Sequence, residues 1–267
     1  PVFANTVHNN PKSFVTNKFS KDNPPKADRD CALGVHTASN QSSEKNFWFY
    51  WGYKNHVLVD CISGLPLFEL TTPANAADCT VTLDILEKTN RFLPLENCTF
   101  IADKAYDARY IYNTVKHTYH GDCVIPINPR GHKGINSKWL NTGNPLCSAG
   151  LAMHKDGRDR SGGRYRHHNG KKNRGCTKYI HLPDDYRLAI DRNSISFRSI
   201  YALRSESERY NSRFKASGQD RLWVRSFSSA RNLNTIAHIS LLAIALAAVV
   251  TQSSVSYRCV KSIKRIA

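Results

Sequence analysis

Two things are missing from this chain: closely paired cysteines and any apolar run long enough to span a bilayer. Its eight cysteines stand singly at positions 31, 61, 79, 98, 123, 147, 176 and 259. None makes a C-x-x-C pair, which excludes the usual zinc-finger and dithiol redox signatures. With no secretory signal sequence to imply an oxidising compartment, the thiols are expected to be reduced, as in a cytoplasmic protein. The apolar stretch ISLLAIALAAVV, residues 239–250, is a dozen residues long, whereas a spanning helix needs roughly 18–20. It is expected to be a buried, Ala-rich packing helix, with no membrane partner. No repeat at a solenoid period is visible. Acid is also scarce.

The chain has 267 residues and is 40% hydrophobic, so it can bury one sizeable core or two small ones and is not a disordered tail. Its 38 Lys+Arg stand against 21 Asp+Glu, a formal charge of +17. A field of that sign favours polyanionic partners, nucleic acid ahead of an anionic membrane surface.

Along the chain, residues 1–45 are polar and punctuated by proline (NNPKSF, KDNPPKADRD, TASNQSSEKN) and are expected to be loop-rich. From Asn46 the texture becomes aromatic and β-branched, and NFWFYWGYKNHVLVD followed by LPLFELT after the turn CISG reads as two antiparallel strands. CTVTLDILEKTN (79–90) has helical spacing. CTFIAD (98–103), DARYIYNTVKHTY (107–119) and DCVIPIN (122–128) then read as strand, helix and strand, a parallel crossover unit.

The expected organisation is a first core segment over 46–128, a basic insertion over 129–190, C-terminal core helices over 191–252 and a basic tail over 253–267. Between Arg130 and Lys178 the apolar pattern fades, and twelve Lys and Arg face only Asp156 and Asp159, so most of the net charge is concentrated there. The segment is either a solvated loop or an arm that tracks phosphates.

Two features carry chemistry. Asp103 ends an apolar strand, a place where functional groups converge in parallel α/β sheets, although a capping aspartate reads the same way. SIYALRSESERYNSRFK (199–215) reads as one helix, on which Tyr201, Arg204, Glu208 and Lys215 share a face at 100° per residue. A salt-bridged surface helix would explain the Arg204 and Glu208 pair for about 0.2–0.5 kcal/mol. Carboxylates drawn from distant elements are also what phosphodiester chemistry needs, because hard divalent ions take oxygen ligands.

FIADKAYD, PINPR and the Tyr201, Arg204, Glu208, Lys215 pattern together closely resemble the DDE transposases of bacterial insertion sequences and match their YREK signature. FYWGYKNHVLVDCISGLPLFELTTPANAAD resembles two strands of the same catalytic domain, so the likeness covers roughly residues 1–250. It implies an α/β, RNase H-like mixed sheet flanked by helices, with the basic, partly β insertion between the second and third acids. It further implies Asp103 and Glu208 as those acids and as ligands of a two-metal Mg²⁺ or Mn²⁺ site. DNA contacts would fall to Tyr201, Arg204, Lys215, Lys104 and Tyr106.

The implied partners are transposon terminal inverted repeats and target DNA, with a homodimer in the synaptic complex of a nucleoid-associated protein. The family's first acid is expected just upstream of Pro1, so the chain reads as truncated at its N-terminus. Asp60, in HVLVD, is a candidate substitute, but it ends the next strand and faces the CISG turn. Ala105 stands where the family usually has glycine. Cys147 and Cys176, with His154, His167 and His168, lack the paired spacing of a zinc site. Two other readings remain: a DNA-binding remnant unable to cut, and an RNA-binding structural protein. The latter explains the charge but neither Asp103 nor the four-residue face.

Overall fold

The computed structural model describes residues 1–10, 19–39, 45–128, 144–147, 149–159, 162–166, 175–181, 186–252 and 257–258. It divides into two compact units, one of Pro1–Leu93 with Ser205–Ala267 and one of Pro94–Arg204.

The first unit is built on an antiparallel sheet of β1 (Val2–Phe3), β2 (Ala32–Ser39), β3 (Lys45–Val59) and β4 (Pro66–Pro73). The long β3 organises it. Gly52 faces both Phe3 and Ala32, and Tyr53 faces both Val2 and Pro73, so β1 lies along one side of β3 while β2 and β4 share the other. The aromatic and β-branched run expected as strand accounts for β3, and β4 follows as expected.

Strands β1 and β2 fall in the segment expected to be loop, and its polar residues have specific work. Buried Asp28 accepts the Tyr53 hydroxyl hydrogen at 2.8 Å. Asp30 Oδ2 accepts the Phe227 amide at 2.9 Å. Isolated acids among prolines carry no periodicity, so these tertiary roles leave no local signal.

Helix α1 (Asp78–Asn90) packs on β4. On the exposed end of the β3–β4 pair Asp60 builds the turn. Its Oδ2 accepts the Ser63 amide at 2.7 Å and the Ser63 hydroxyl at 2.5 Å, and its Oδ1 accepts the Ile62 amide at 3.3 Å. Gly64 closes this turn at φ 68°, a left-handed backbone where a side chain would be strained.

Two further helices of this unit, α4 (Ser205–Ala216) and α5 (Phe227–Val250), pack on the sheet through one polar layer. Asn234 donates to Thr71 Oγ1 at 2.9 Å and Thr235 to Glu69 Oε1 at 2.5 Å. The His238 ring lies between Tyr210 and Phe214, with centroids at 5.6 and 4.8 Å. Buried polar groups cost free energy unless paired, so this layer fixes which face of α5 meets the sheet.

The expected buried helix is therefore only half buried. Ala230, Asn234, Ala237, His238, Leu241 and Ala245 face inward, while Ile236, Ile239, Leu246 and Val250 are exposed. By length and composition α5 could cross a membrane, but insertion would strip Asn234, Thr235 and His238 of their partners on β3 and β4.

The second unit holds the expected crossover. Strand β5 (Thr99–Ile101) leads through α2 (Arg109–His117) to β6 (Asp122–Val124), and the two strands pair in parallel, Thr99 with Asp122 and Ile101 with Val124. The amphipathic α2 buries Ile111, Tyr112 and Val115. Buried Arg192 ties this layer together. It donates to Ile125 O at 2.8 Å, to Arg187 O at 2.7 Å and to the Tyr112 hydroxyl at 3.1 Å. The mixed parallel and antiparallel character is thus present, divided between two sheets.

The basic insertion contains an antiparallel meander of β7 (His154–Asp159), β8 (Gly162–Arg166) and β9 (Thr177–His181). Its small core gathers Cys147, Met153 and Tyr165, with Cys176 packed against them. His167, His168, Arg160, Lys171 and Lys172 lie outside the described residues.

Candidate active site

In the second unit the strand end and the turn after it present Asp103. Ala102 still bonds Val124 O at 3.4 Å, and the chain then turns into a 3₁₀ segment, Lys104–Tyr106. Asp103 caps that segment, its Oδ1 accepting the Ala105 amide at 2.7 Å. The capping reading of this aspartate therefore holds, one carboxylate oxygen orienting the turn, and the half-buried residue sits at the carboxyl end of a parallel strand.

Ala105 fits the turn because its backbone is not left-handed. Lys104 is exposed, and Tyr106 packs edge-on to Phe100 at 6.4 Å. Sequence reasoning passed over Asp107. It is buried, its Oδ2 accepts the Asn128 amide at 2.8 Å, and its Oδ1 lies 3.7 Å from Arg187 Nη1. That pairing braces the turn carrying Asp103 against the end of β6.

The stretch 199–215 is two helices, not the one expected. Helix α3 (Ile195–Ala202) starts on a Ser194 cap, whose Oγ accepts the Phe197 amide at 3.1 Å. It ends at Leu203, and the Arg204 amide closes on Tyr201 O at 3.0 Å, a tight i to i+3 turn. Helix α4 begins at Ser205, with Glu206 and Glu208 in its first turn, where acids suit the helix dipole. The four residues therefore do not share one helix face.

They fall into two pairs. On α3, Phe197 and Tyr201 stack at 5.9 Å with an interplanar angle of 14°, and the Arg204 guanidinium lies 5.8 Å over the Tyr201 ring. Arg192 caps the other end of this stack, 6.0 Å over Phe197. Phe197 and Arg192 are buried, so the stack reaches solvent only through the half-buried Tyr201 and Arg204, a cation and ring of the kind that grips phosphates and unstacked bases.

In the first unit, Glu208 and Lys215 are both exposed on α4 and, seven residues apart, lie on one face. The opposite face buries Glu206, Tyr210 and Phe214. Glu206 is the structural acid of this helix, paired with Arg209 and with Arg258 at 3.2 Å. Arg213 donates to Gly64 O at 2.5 Å and lies 5.5 Å over the Tyr210 ring, and burial lowers its pKa. These contacts fix the roll of α4 and so hold Glu208 outward.

Asp60 is committed elsewhere. Partial burial pushes its pKa up, but the Ser63 hydroxyl, the Ser63 and Ile62 amides and Arg258 outweigh that and hold it below the usual carboxylate range. Asp103 and Glu208 are carboxylates, the hard oxygen donors that Mg²⁺ and Mn²⁺ require, and the cap at Ala105 engages one oxygen of Asp103, Oδ1. The donor chemistry fits such an ion. Among the described residues, no three His, Cys, Asp or Glu side chains are grouped to hold a metal.

The transposase DDE domain family matches residues 28–246. That span is most of the chain, and the chain belongs to this family. Neither a curated protein nor a solved structure matches it. The α/β architecture, with a parallel crossover and an antiparallel sheet flanked by helices, is that of an RNase H-like DDE transposase domain.

Proposed function

We propose that this chain is the catalytic domain of a DNA transposase that cleaves transposon ends and joins them to target DNA with divalent metal ions. The observation that carries the reading is Asp103 at the carboxyl end of β5, in a crossover unit inside the span matched by the transposase DDE domain. Asp103 and Glu208 would hold Mg²⁺ or Mn²⁺. When bound, such ions lower the pKa of water and stabilise charge on the leaving oxygen.

The chain's own residues have complementary roles. Tyr201 and Arg204 offer a stacked cationic surface to displaced strand and phosphate, and Lys215, Lys104 and Tyr106 supply further DNA contacts. The insertion provides the sequence-independent electrostatic grip. Two copies act together at paired ends.

A third acid would complete the set. The alternative, a remnant that binds DNA without cutting it, differs in this acid alone. The test gives the protein duplex terminal repeats in Mg²⁺ and reads cleavage and binding on the same samples. Metal-dependent cutting is the expected result. Binding without cutting supports the remnant.

A further inference from the structure

The outward face of α5 is the largest feature that the proposed chemistry leaves unused. Ile236, Ile239, Ala243, Leu246 and Val250 follow one another at intervals of three, four, three and four residues. That is the spacing of a coiled-coil seam, in which two helices interlock side chains along a shared line. The seam lies on the side opposite Asn234, His238, Leu241 and Ala245, which face the sheet.

Its residues are open to solvent: Ile236 and Ile239 are 57% exposed, Leu246 65% and Val250 72%. Leu242 and Val249, also exposed, broaden the stripe on one flank. A helix on the surface of a soluble domain ordinarily turns charge outward. Here no Asp, Glu, Lys or Arg occurs between Arg231 and Arg258.

We infer that this face is a homodimer contact, in which α5 packs along α5 of a second copy of the chain. Three observations favour that occupant. A three-four repeat is self-complementary, so the same seam on a second copy supplies both knobs and holes. Ile236, Ala243 and Val250 occupy one set of seam positions and Ile239 and Leu246 the other. Ala243 at the centre leaves room for close approach of the two backbones.

Charge adds the third observation. Two chains of +17 repel one another over most of their surfaces, and the uncharged α5 stripe is a place where they can meet without that cost. With little more than two heptads the contact is modest, so the dimer forms and dissociates with concentration.

The inference does not depend on the proposed cleavage reaction, and its test contains no DNA. Sedimentation velocity of the full chain is measured across micromolar concentrations and at rising salt. The wild type is expected to move from 30.1 kDa towards twice that mass. Added salt should strengthen association by screening the like charges. Ile239→Glu with Leu246→Glu, and Ala243→Glu alone, should remain monomeric with an unchanged circular dichroism spectrum, because the replaced side chains are exposed.

A wild type that is monomeric throughout overturns the inference, as does a dimer that survives all three substitutions. If the wild type instead floats with phosphatidylcholine vesicles and the variants do not, the face belongs to a lipid surface and the homodimer contact is wrong.

Discussion

His238 on α5 meets Asn55 on β3 through Nε2 and Oδ1 at 2.8 Å, while its Nδ1 takes the Tyr210 hydroxyl of α4. One neutral imidazole thus joins two helices to the central strand, with Nε2 carrying the proton and Nδ1 accepting. Burial lowers its pKa to about 4.

Stability should therefore depend on pH through this residue. The unfolded chain protonates His238 near pH ~6.5, but the folded one resists until about pH 4. The unfolded state binds the extra proton between those values, so stability is full above them and falls with acidification, by up to about 3 kcal/mol. Urea midpoints across this window should show the slope, and His238→Gln, which cannot titrate, should flatten it.

Gly52 marks where β1 docks on β3. A Cβ there would meet Val2 O at 2.1 Å. Backbone cannot yield as a flexible side chain does, so Gly52→Ala should destabilise the first unit by about 1–3 kcal/mol or more. Hydrogen exchange should show faster loss of protection at Ala4, whose amide bonds Trp51 O, than in the β5–β6 pair of the other unit.

Asp60 tests the identity of the acids. Asp60→Asn weakens the charge-assisted turn to Ser63 and should cost about 1 kcal/mol in thermal unfolding. Cleavage should survive. Loss of cleavage with folding intact would make Asp60 a metal ligand.

The insertion should govern the salt dependence of DNA binding. Replacing Arg158, Arg160, Arg166, Lys171 and Lys172 by Gln should flatten the log–log slope by roughly one unit for each phosphate no longer neutralised. Filter binding at several salt concentrations reads this out directly. Arg164 is omitted because it already pairs with Asp156, at 3.3 Å. An unchanged slope would mean that the segment is a solvated surface.

Much of this was legible in the sequence where pattern and structure share a period. The aromatic run of β3, the helical spacing of α1 and α2 and the parallel strands around α2 all declare themselves locally. Asp103 was visible because an apolar run ends on it. What stayed hidden depends on residues distant in sequence. Asp28 and Asp30 look like loop residues until Tyr53 and Phe227 arrive to use them.

The break at Leu203 and Arg204 was hidden by a different cause. Angular spacing describes an uninterrupted helix, and it takes no account of the tight turn that the Arg204 amide makes on Tyr201 O. The length of the apolar run in α5 gave its burial on one side but could not show that the other side stays open. Which face the sheet takes is decided by Asn234 and His238, polar residues upstream of most of that run.

The central claim is that Glu208 holds a metal ion used for cleavage, while its neighbours grip DNA without it. The decisive measurement is Mg²⁺-dependent cutting of terminal-repeat duplex by the protein, compared with Glu208→Gln and Asp103→Asn, with binding affinity measured on the same samples. Each amide keeps the side chain's shape and removes the charge that retains a hard cation. Cutting should fall by orders of magnitude in both variants while affinity for DNA is unchanged or higher, because repulsion of the phosphate backbone is relieved. Cleavage by Glu208→Gln at the parent rate would contradict the account and leave the exposed face of α4 as an ordinary charged surface.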